Sequence, residues 1–244
     1  MTIIRPGTIA NQVNALLRER IRDGVYPPGG RLPSESELCD DFGVSRATVR
    51  TVLAKLATEG LILRKQGDGT YINEHIQQIN THLGGLWEFG RLIESSGYRP
   101  SIRSISISER SPTVGESQNL NLREAENVLA LERLFYADGK PVILAHNSIP
   151  SRLVDQGSGP FDGGLNIRDF LWRYCHRKIA YAISDIHSVM AGEELVDLLS
   201  LQRTRPLLQI QIIFYDRDNQ PLVCGTSYFD DKLLRLRLVQ AWGG

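Results

Sequence analysis

No run of the 244-residue chain approaches the roughly 20 consecutive apolar residues that cross a bilayer. The first residues, Met1-Thr-Ile-Ile-Arg-Pro-Gly7, hold no apolar signal core, so export is not expected and the expected compartment is the cytoplasm. Cysteine is scarce: Cys39, Cys175 and Cys224 are odd in number, far apart, and form neither a CxxC pair nor a zinc spacing. Such thiols suit small buried positions in a reducing compartment. The formal net charge is zero, which speaks against a simple polyanion sponge. There is no nucleophile elbow, Walker-type loop or metal-ligand cluster at helical spacing. The five histidines are scattered, so no metal or other cofactor is expected.

What is present begins with a mild asymmetry. Residues 1–73 carry ten Lys and Arg against eight Asp and Glu, whereas the remainder carries eighteen against twenty. A slightly basic head on a slightly acidic body fits DNA binding by a few placed cations. In the head, Thr8 is a suitable cap, and Ile9, Val13, Leu16, Leu17 and Ile21 recur at helical spacing until Gly24. Pro27-Pro28-Gly29-Gly30 forces a turn. Ser34 and Glu37 form a capping box that opens a short helix, with Leu38 and Phe42 facing inward and Gly43 ending it. Ser45 caps a third helix, Arg46 to Glu59, with Val49, Val52, Leu53 and Leu56 on its inner face. Residues 61–65 and 70–72 are expected strands joined by Gln66-Gly67-Asp68-Gly69.

Two helices joined by a short glycine-containing turn form a helix-turn-helix, whose second helix enters the major groove by its N-terminal residues. Here that edge is Ser45-Arg46-Ala47-Thr48-Val49-Arg50. Arg46 and Arg50 share a helix face, and the planar fork of arginine matches the acceptors of guanine. Ser45, Thr48 and the helix N-terminus suit phosphate contacts. Gly67 and Gly69 let the hairpin tip approach a groove or phosphate closely, flanked by Arg64 and Lys65.

Residues 31–72, from Arg-Leu-Pro-Ser-Glu-Ser-Glu-Leu through Val-Ser-Arg-Ala-Thr-Val-Arg to Gly-Asp-Gly-Thr-Tyr-Ile, resemble the winged-helix domain of the GntR family of bacterial regulators. The resemblance implies contacts to double-stranded operator DNA from Arg31, Ser36, Ser45, Arg46, Thr48 and Arg50, with Gln66 and Gly67 at the minor groove. Some relatives carry arginine where Ser36 stands. Ser34, Arg64, Lys65 and Gly69 complete the expected DNA-binding set.

Residues 74–82 are polar and aperiodic and are expected to be a linker, leaving 83–244 as a second domain. There, 87–95, 167–174 and 191–199 are expected helices, and 101–108 an alternating, half-buried strand. Residues 127–136 and 142–149 make one hairpin through Asp138-Gly139, and 207–215 and 222–228 a second. Strands in hairpins with interspersed helices indicate an α+β domain around an antiparallel sheet. Val128-Leu-Ala-Leu-Glu-Arg-Leu-Phe-Tyr-Ala-Asp-Gly-Lys-Pro-Val142 and the closing hairpin resemble the effector domain of the HutC branch of that family, the UTRA domain. This implies a fold like chorismate lyase, a six-stranded antiparallel sheet with helices, and a small-molecule effector. The positions expected around it are Gly84, Gly85, Leu86, Arg133, His146 and Tyr228, with Arg133 on an anionic group; His176 is a further candidate. Ala145 and Val223 or Cys224 stand where many sugar-phosphate sensors of the branch carry glutamates. Fewer acceptors for buried hydroxyls favour a small anionic metabolite over a polyhydroxylated sugar.

The expected protein is a repressor, dimeric through its second domain, that a ligand releases from a pseudo-palindromic operator. The alternatives are an enzyme built on the lyase-like tail, or an activator that binds DNA without ligand control.

Overall fold

The computed structural model describes residues 8–75, 88–155, 157, 159–201, 206–230, 232–234 and 236. They fall into two compact units, one ending before the segment 76–87 and one beginning after it. The expected linker, 74–82, lies for the most part outside the described residues.

The first unit holds three helices and a hairpin: α1 (Ile9–Arg22), α2 (Glu35–Phe42), α3 (Arg46–Thr58), β1 (Ile62–Lys65) and β2 (Gly69–Ile72). Its helix starts follow from their caps. The Thr8 side chain accepts from the Asn11 N–H, and Ser34 and Glu37 exchange both bonds of a capping box. Ser45 Oγ accepts from the Thr48 N–H at 3.3 Å. Gly43 ends α2 at φ 64°, a conformation that costs glycine nothing. The core joins Val13, Leu17 and Ile21 to Leu38, Val49, Val52, Leu53, Leu56, Ile62 and Ile72.

Ile9 and Leu16 do not join it and are exposed. The buried stripe of α1 leans instead toward Asn14, whose side-chain oxygen accepts from Arg18 Nε at 2.6 Å. The hairpin also gains a neighbour unforeseen in the sequence. Leu32 N–H donates to Thr70 O, Ile72 N–H to Gly30 O, and Arg31 bridges Tyr71, so residues 30–32 line the open edge of β2.

The second unit is a six-stranded antiparallel sheet of order β3-β4-β5-β8-β7-β6. Its strands are β3 (Pro100–Arg110), β4 (Val128–Ala137), β5 (Lys140–Pro150), β6 (Tyr181–Met190), β7 (Pro206–Tyr215) and β8 (Pro221–Phe229). Its helices are α4 (Phe89–Ser95), α5 (Val114–Asn119), α6 (Ile167–Cys175) and α7 (Glu193–Leu199). The β4–β5 turn places Asp138 at φ 48° and Gly139 at φ 79°, the paired positive values that match strand twist in a two-residue hairpin. α4 and α6 pack on one face, through Leu92, Ile93, Phe170, Leu171 and Tyr174. α7 packs on the other, with Leu199 against Leu134, Leu144 and Leu207.

Strand β3 corrects the simple alternation expected of 101–108. A bulge between Ser104 and Ser106 leaves Ile105 unpaired and exposed, while Ile102 and Ile107 both turn toward the α4–α6 face. Strand β6 and helix α5 had no counterpart in the sequence reading: β6 is an exposed edge without alternation, and α5 is six residues long.

Glu116 ties α5 to the sheet. It bonds Arg110 of β3 at 2.6 Å and 2.8 Å, accepts from Ser148 of β5, and closes a capping box with Thr113. Burial pushes its pKa up, but the bonds from Arg110, Ser148 and the Thr113 N–H outweigh that and hold it at about 2 against an ordinary 4.5. A carboxylate depressed in the folded state contributes stability in full above the unfolded value and loses it as pH falls through the folded one. The melting temperature should therefore drop as pH is lowered from about 4.5 to about 2. In Glu116→Gln the same titration, followed by circular dichroism, should be flatter; an unchanged pH profile would remove Glu116 from this role.

Candidate DNA-contacting face and effector cavity

In the first unit the buried side of α3 packs on the hairpin that follows it, and the start of α3 is exposed. Arg46 is exposed and makes no hydrogen bond or ion pair among the described residues. Arg50 differs: its Nε donates to Glu35 Oε2 of α2 at 2.7 Å, which raises the guanidinium pKa above its ordinary value. That pair links α2 to α3 and restrains one of the two arginines expected at base edges. Ser45 and Thr48 hydroxyls meet at 3.0 Å. Ser34 is engaged in its capping box, and Ser36 is exposed one residue into α2.

At the hairpin, Arg64, Lys65, Gln66 and Gly67 are all exposed. Lys65 Nζ sits 4.4 Å over the Tyr71 ring, and Tyr71 O–H donates to Asp68 at 3.1 Å. Gly69 has φ 143°, and a Cβ there would lie 2.8 Å from Arg31 Nε. The missing side chain thus makes room for the Arg31 guanidinium alongside the hairpin. Arg31, Arg64 and Lys65 give the hairpin a cationic, exposed surface, and the carboxylates Glu35, Glu37 and Asp68 are each held in hydrogen bonds.

In the second unit Arg133 is the exceptional residue. It sits on β4, between β3 and β5, and is only 2% exposed. One terminal nitrogen donates to Leu165 O at 2.6 Å and the other to Asn147 Oδ1 at 2.6 Å. Its Nε–H is buried and meets no acceptor among the described residues. Burial lowers its pKa to about 10, so it remains cationic at neutral pH. No carboxylate pairs with it among the described residues. A buried charge without a counter-charge is costly, and an anion placed beside it recovers part of that cost.

Beside Arg133 lies a small, partly open cavity lined by Phe89, Phe135, Asn147, Asn166, Ile167, Ile210, Ile212, Phe214 and Ser227. Sheet register explains this set. Arg133 pairs with Ala145, Ala145 with Ser227 and Ser227 with Ile210, so one cross-strand row faces the cavity. Phe89 of α4 roofs it, edge-on to Phe135 at 5.0 Å and to Phe229 at 5.3 Å.

Among the described residues, the structure does not bring His146, Tyr228 or His176 to Arg133. His146 and Tyr228 occupy odd steps from that row and point to the opposite face, where their rings meet at 6.2 Å and Tyr228 packs under α7. His176 lies at the C-terminal end of α6, largely exposed and 3.7 Å from Asp155. Gly84, Gly85 and Leu86 lie outside the described residues. Asn147, Asn166 and Ser227 were not foreseen. A bulge between Phe135 and Tyr136 shifts the β4–β5 pairing by one residue, so counting in steps of two from the Asp138-Gly139 turn selects His146 in place of Asn147.

The chain matches the gntR family of bacterial regulatory proteins over residues 9–72 and the UTRA domain over residues 95–234. It belongs to that family of transcriptional regulators, with a winged helix-turn-helix followed by a UTRA domain. Among curated relatives it is 28% identical to the transcriptional repressor NagR of Bacillus subtilis over 211 residues, covering 86% of this chain and 85% of that one. It is 27% identical to the histidine utilization repressor of Pseudomonas putida over 220 residues, covering 84% and 82%. Its fold is similar to that of the possible transcriptional regulator YydK of Bacillus subtilis, with a TM-score of 0.77 at 19% identity over 95% of this chain and 100% of that one. PhnF of Mycobacterium smegmatis follows at 0.60 and 21%, over 93% and 98%.

The unpaired Arg46 and the solvated Lys65 should separate in their effects on DNA. Arg46→Ala should lower sequence preference, costing about 1–3 kcal/mol on the preferred site, while Lys65→Ala weakens binding to all DNA and reduces the salt slope by about 1. Fluorescence anisotropy with specific and scrambled duplexes at several salt concentrations checks both. Gly69→Ala should resemble loss of Arg31, because the added methyl displaces that guanidinium.

Proposed function

We propose that this chain is a repressor that a small anionic metabolite releases from its operator, acting as a homodimer. Arg133 carries the reading: a cationic, buried guanidinium without a counter-charge beside a cavity. Its Nε–H, the amide of Asn147 and the hydroxyl of Ser227 are the polar groups available to an anionic head. Phe89, Phe135, Ile210 and Phe214 offer an apolar wall to the rest of the molecule. A compact carboxylate, phosphate or phosphonate fits this lining better than a polyhydroxylated sugar, since few acceptors line the cavity for buried hydroxyls.

In this reading Arg46, Arg31 and the hairpin tip contact DNA, with Ser45 and Thr48 at phosphates, and Arg50 is positioned by Glu35. The names of the relatives NagR and the histidine utilization repressor support repression as the sign of the response. Ligand and operator are then linked: the factor by which ligand weakens operator binding equals the factor by which operator weakens ligand binding.

The experiment is a thermal-shift screen of carboxylates, phosphates and phosphonates, followed by release of a labelled duplex from the chain's own upstream region. A stabilising anion that releases DNA supports the reading; one that tightens DNA binding reverses its sign. Arg133→Met should fold with a melting temperature equal to or above that of the unsubstituted chain, since a buried unpaired charge is replaced by a side chain of similar volume. It should keep DNA binding and lose release. Release retained in Arg133→Met would place the effector elsewhere.

A further inference from the structure

The cavity beside Arg133 holds one charge and few free polar groups. Among its described lining residues Arg133 is the only ionisable side chain. Asn166 is engaged at the start of its own helix: its Oδ1 accepts from the Asp169 N–H at 2.9 Å, and its Nδ2 donates to the Asp169 carboxylate at 2.7 Å. Asn147 gives its Oδ1 to Arg133, and its amide nitrogen lies over Gly225, where a Cβ would stand 2.5 Å away. The buried Ser227 hydroxyl makes no hydrogen bond among the described residues. The rest of the lining is hydrocarbon, from Phe89, Phe135, Phe214, Ile167, Ile210 and Ile212.

Leu165 O and Asn147 Oδ1 each accept from a different terminal nitrogen of Arg133, and the Nε–H stays open. A carboxylate matches the planar donor fork of a guanidinium, but so does a phosphate. Charge decides between them. A carboxylate brings one negative charge, and one cation meets it. A phosphate monoester carries about 1.5 to 2 negative charges near pH 7, so part of its charge would stay in an apolar enclosure unmatched. The start of α6 offers that excess no cation. Its first turn already carries the Asp169 carboxylate, and Arg168 beside it is paired with Glu88 at 2.6 Å.

We propose that the effector is an apolar monocarboxylic acid. Its carboxylate takes the open Nε–H of Arg133, with the Ser227 hydroxyl as a second donor, and its aromatic or branched hydrocarbon body lies against Phe89, Phe135 and Ile210. The inference rests on the effector reading above and narrows its ligand from small anions in general to this class. Head and body then contribute separately: the head by recovering part of the cost of a buried charge, the body by leaving water for an apolar wall.

The test titrates the full chain calorimetrically with a matched set of probes: phenylacetate, 4-methylpentanoate, acetate, phenylacetamide, phenyl phosphate and glucose 6-phosphate. Phenylacetate and 4-methylpentanoate should bind about tenfold or more tightly than acetate, which lacks the body. Phenylacetamide, with the body but no charge, should not bind, and both phosphates should be weaker than the two apolar acids. Ser227→Ala should weaken both acids, whereas Phe89→Ala should lower the ratio of phenylacetate to acetate affinity. Circular dichroism checks that each variant is folded, and the ratio stands even where Phe89→Ala lowers stability. A phosphate that binds more tightly than both apolar acids overturns the monocarboxylate class; if that phosphate also releases DNA, the anion-released repressor stands. Failure of both apolar acids to bind at millimolar concentration likewise overturns the class. Acid binding unchanged in Arg133→Met overturns the class and the effector reading together.

Discussion

The guanidinium of Arg133 is held in an apolar enclosure by two hydrogen bonds and no opposite charge. Desolvation of a charge is among the largest unfavourable terms in a folded chain, and hydrogen bonds to a carbonyl and an amide offset only part of it. That imbalance is stable only because the surrounding sheet fixes it in place. Arg133 sits on β4, flanked by β3 and β5, with its row continued through Ala145, Ser227 and Ile210. Small residues at 145 and 227 leave space beside the guanidinium, and α4 and α6 cover the space from above. In the proposed reading, the binding chemistry of this unit depends on a charge that the fold does not neutralise.

The winged helix follows a different principle. Its helices start where a serine or threonine oxygen accepts an orphan N–H, so its geometry is written in local sequence. The carboxylates near the cationic end are tied into that geometry: Glu37 into a cap, Asp68 to Tyr71, and Glu35 to Arg50. Each would repel a phosphate if left free. The Arg50 pair cancels the charge of Glu35, whereas Glu37 and Asp68 keep theirs and are held in fixed positions.

This difference explains what could be read from the sequence. Caps, the glycine stop at Gly43 and the Asp138-Gly139 turn act over a few residues, and the elements they bound appear close to where they were expected. The bulge at Ile105 could not be read this way, because an inserted residue shifts parity without changing composition. Strand β6 escaped because both of its faces are largely exposed and no alternation develops. The lining of the candidate cavity was legible only in part. Arg133 is marked by its charge in an apolar strand, but Asn147 and Ser227 join it through pairings that span 14 and more residues. His146 and Tyr228 attracted notice by residue type, and strand parity sends them to the other face.

Ligand control requires a ligand to prefer one arrangement of the chain over another, and the cavity lining indicates where that preference can arise. In the proposed reading an anion at Arg133 takes the open Nε–H and draws on the terminal N–H groups that Leu165 O and Asn147 Oδ1 hold. Leu165 directly precedes Asn166, whose side chain caps α6 and lines the cavity, so release of that carbonyl loosens the start of α6. Phe89 meets the same occupant from α4. α4 is the first described element after the segment that leads from the winged helix, and chain connectivity alone makes its position matter to the head. In that reading effector binding acts on two helix starts, while the strands beneath stay locked by their register. The sheet supplies the fixed charge, and the helices supply the part that moves.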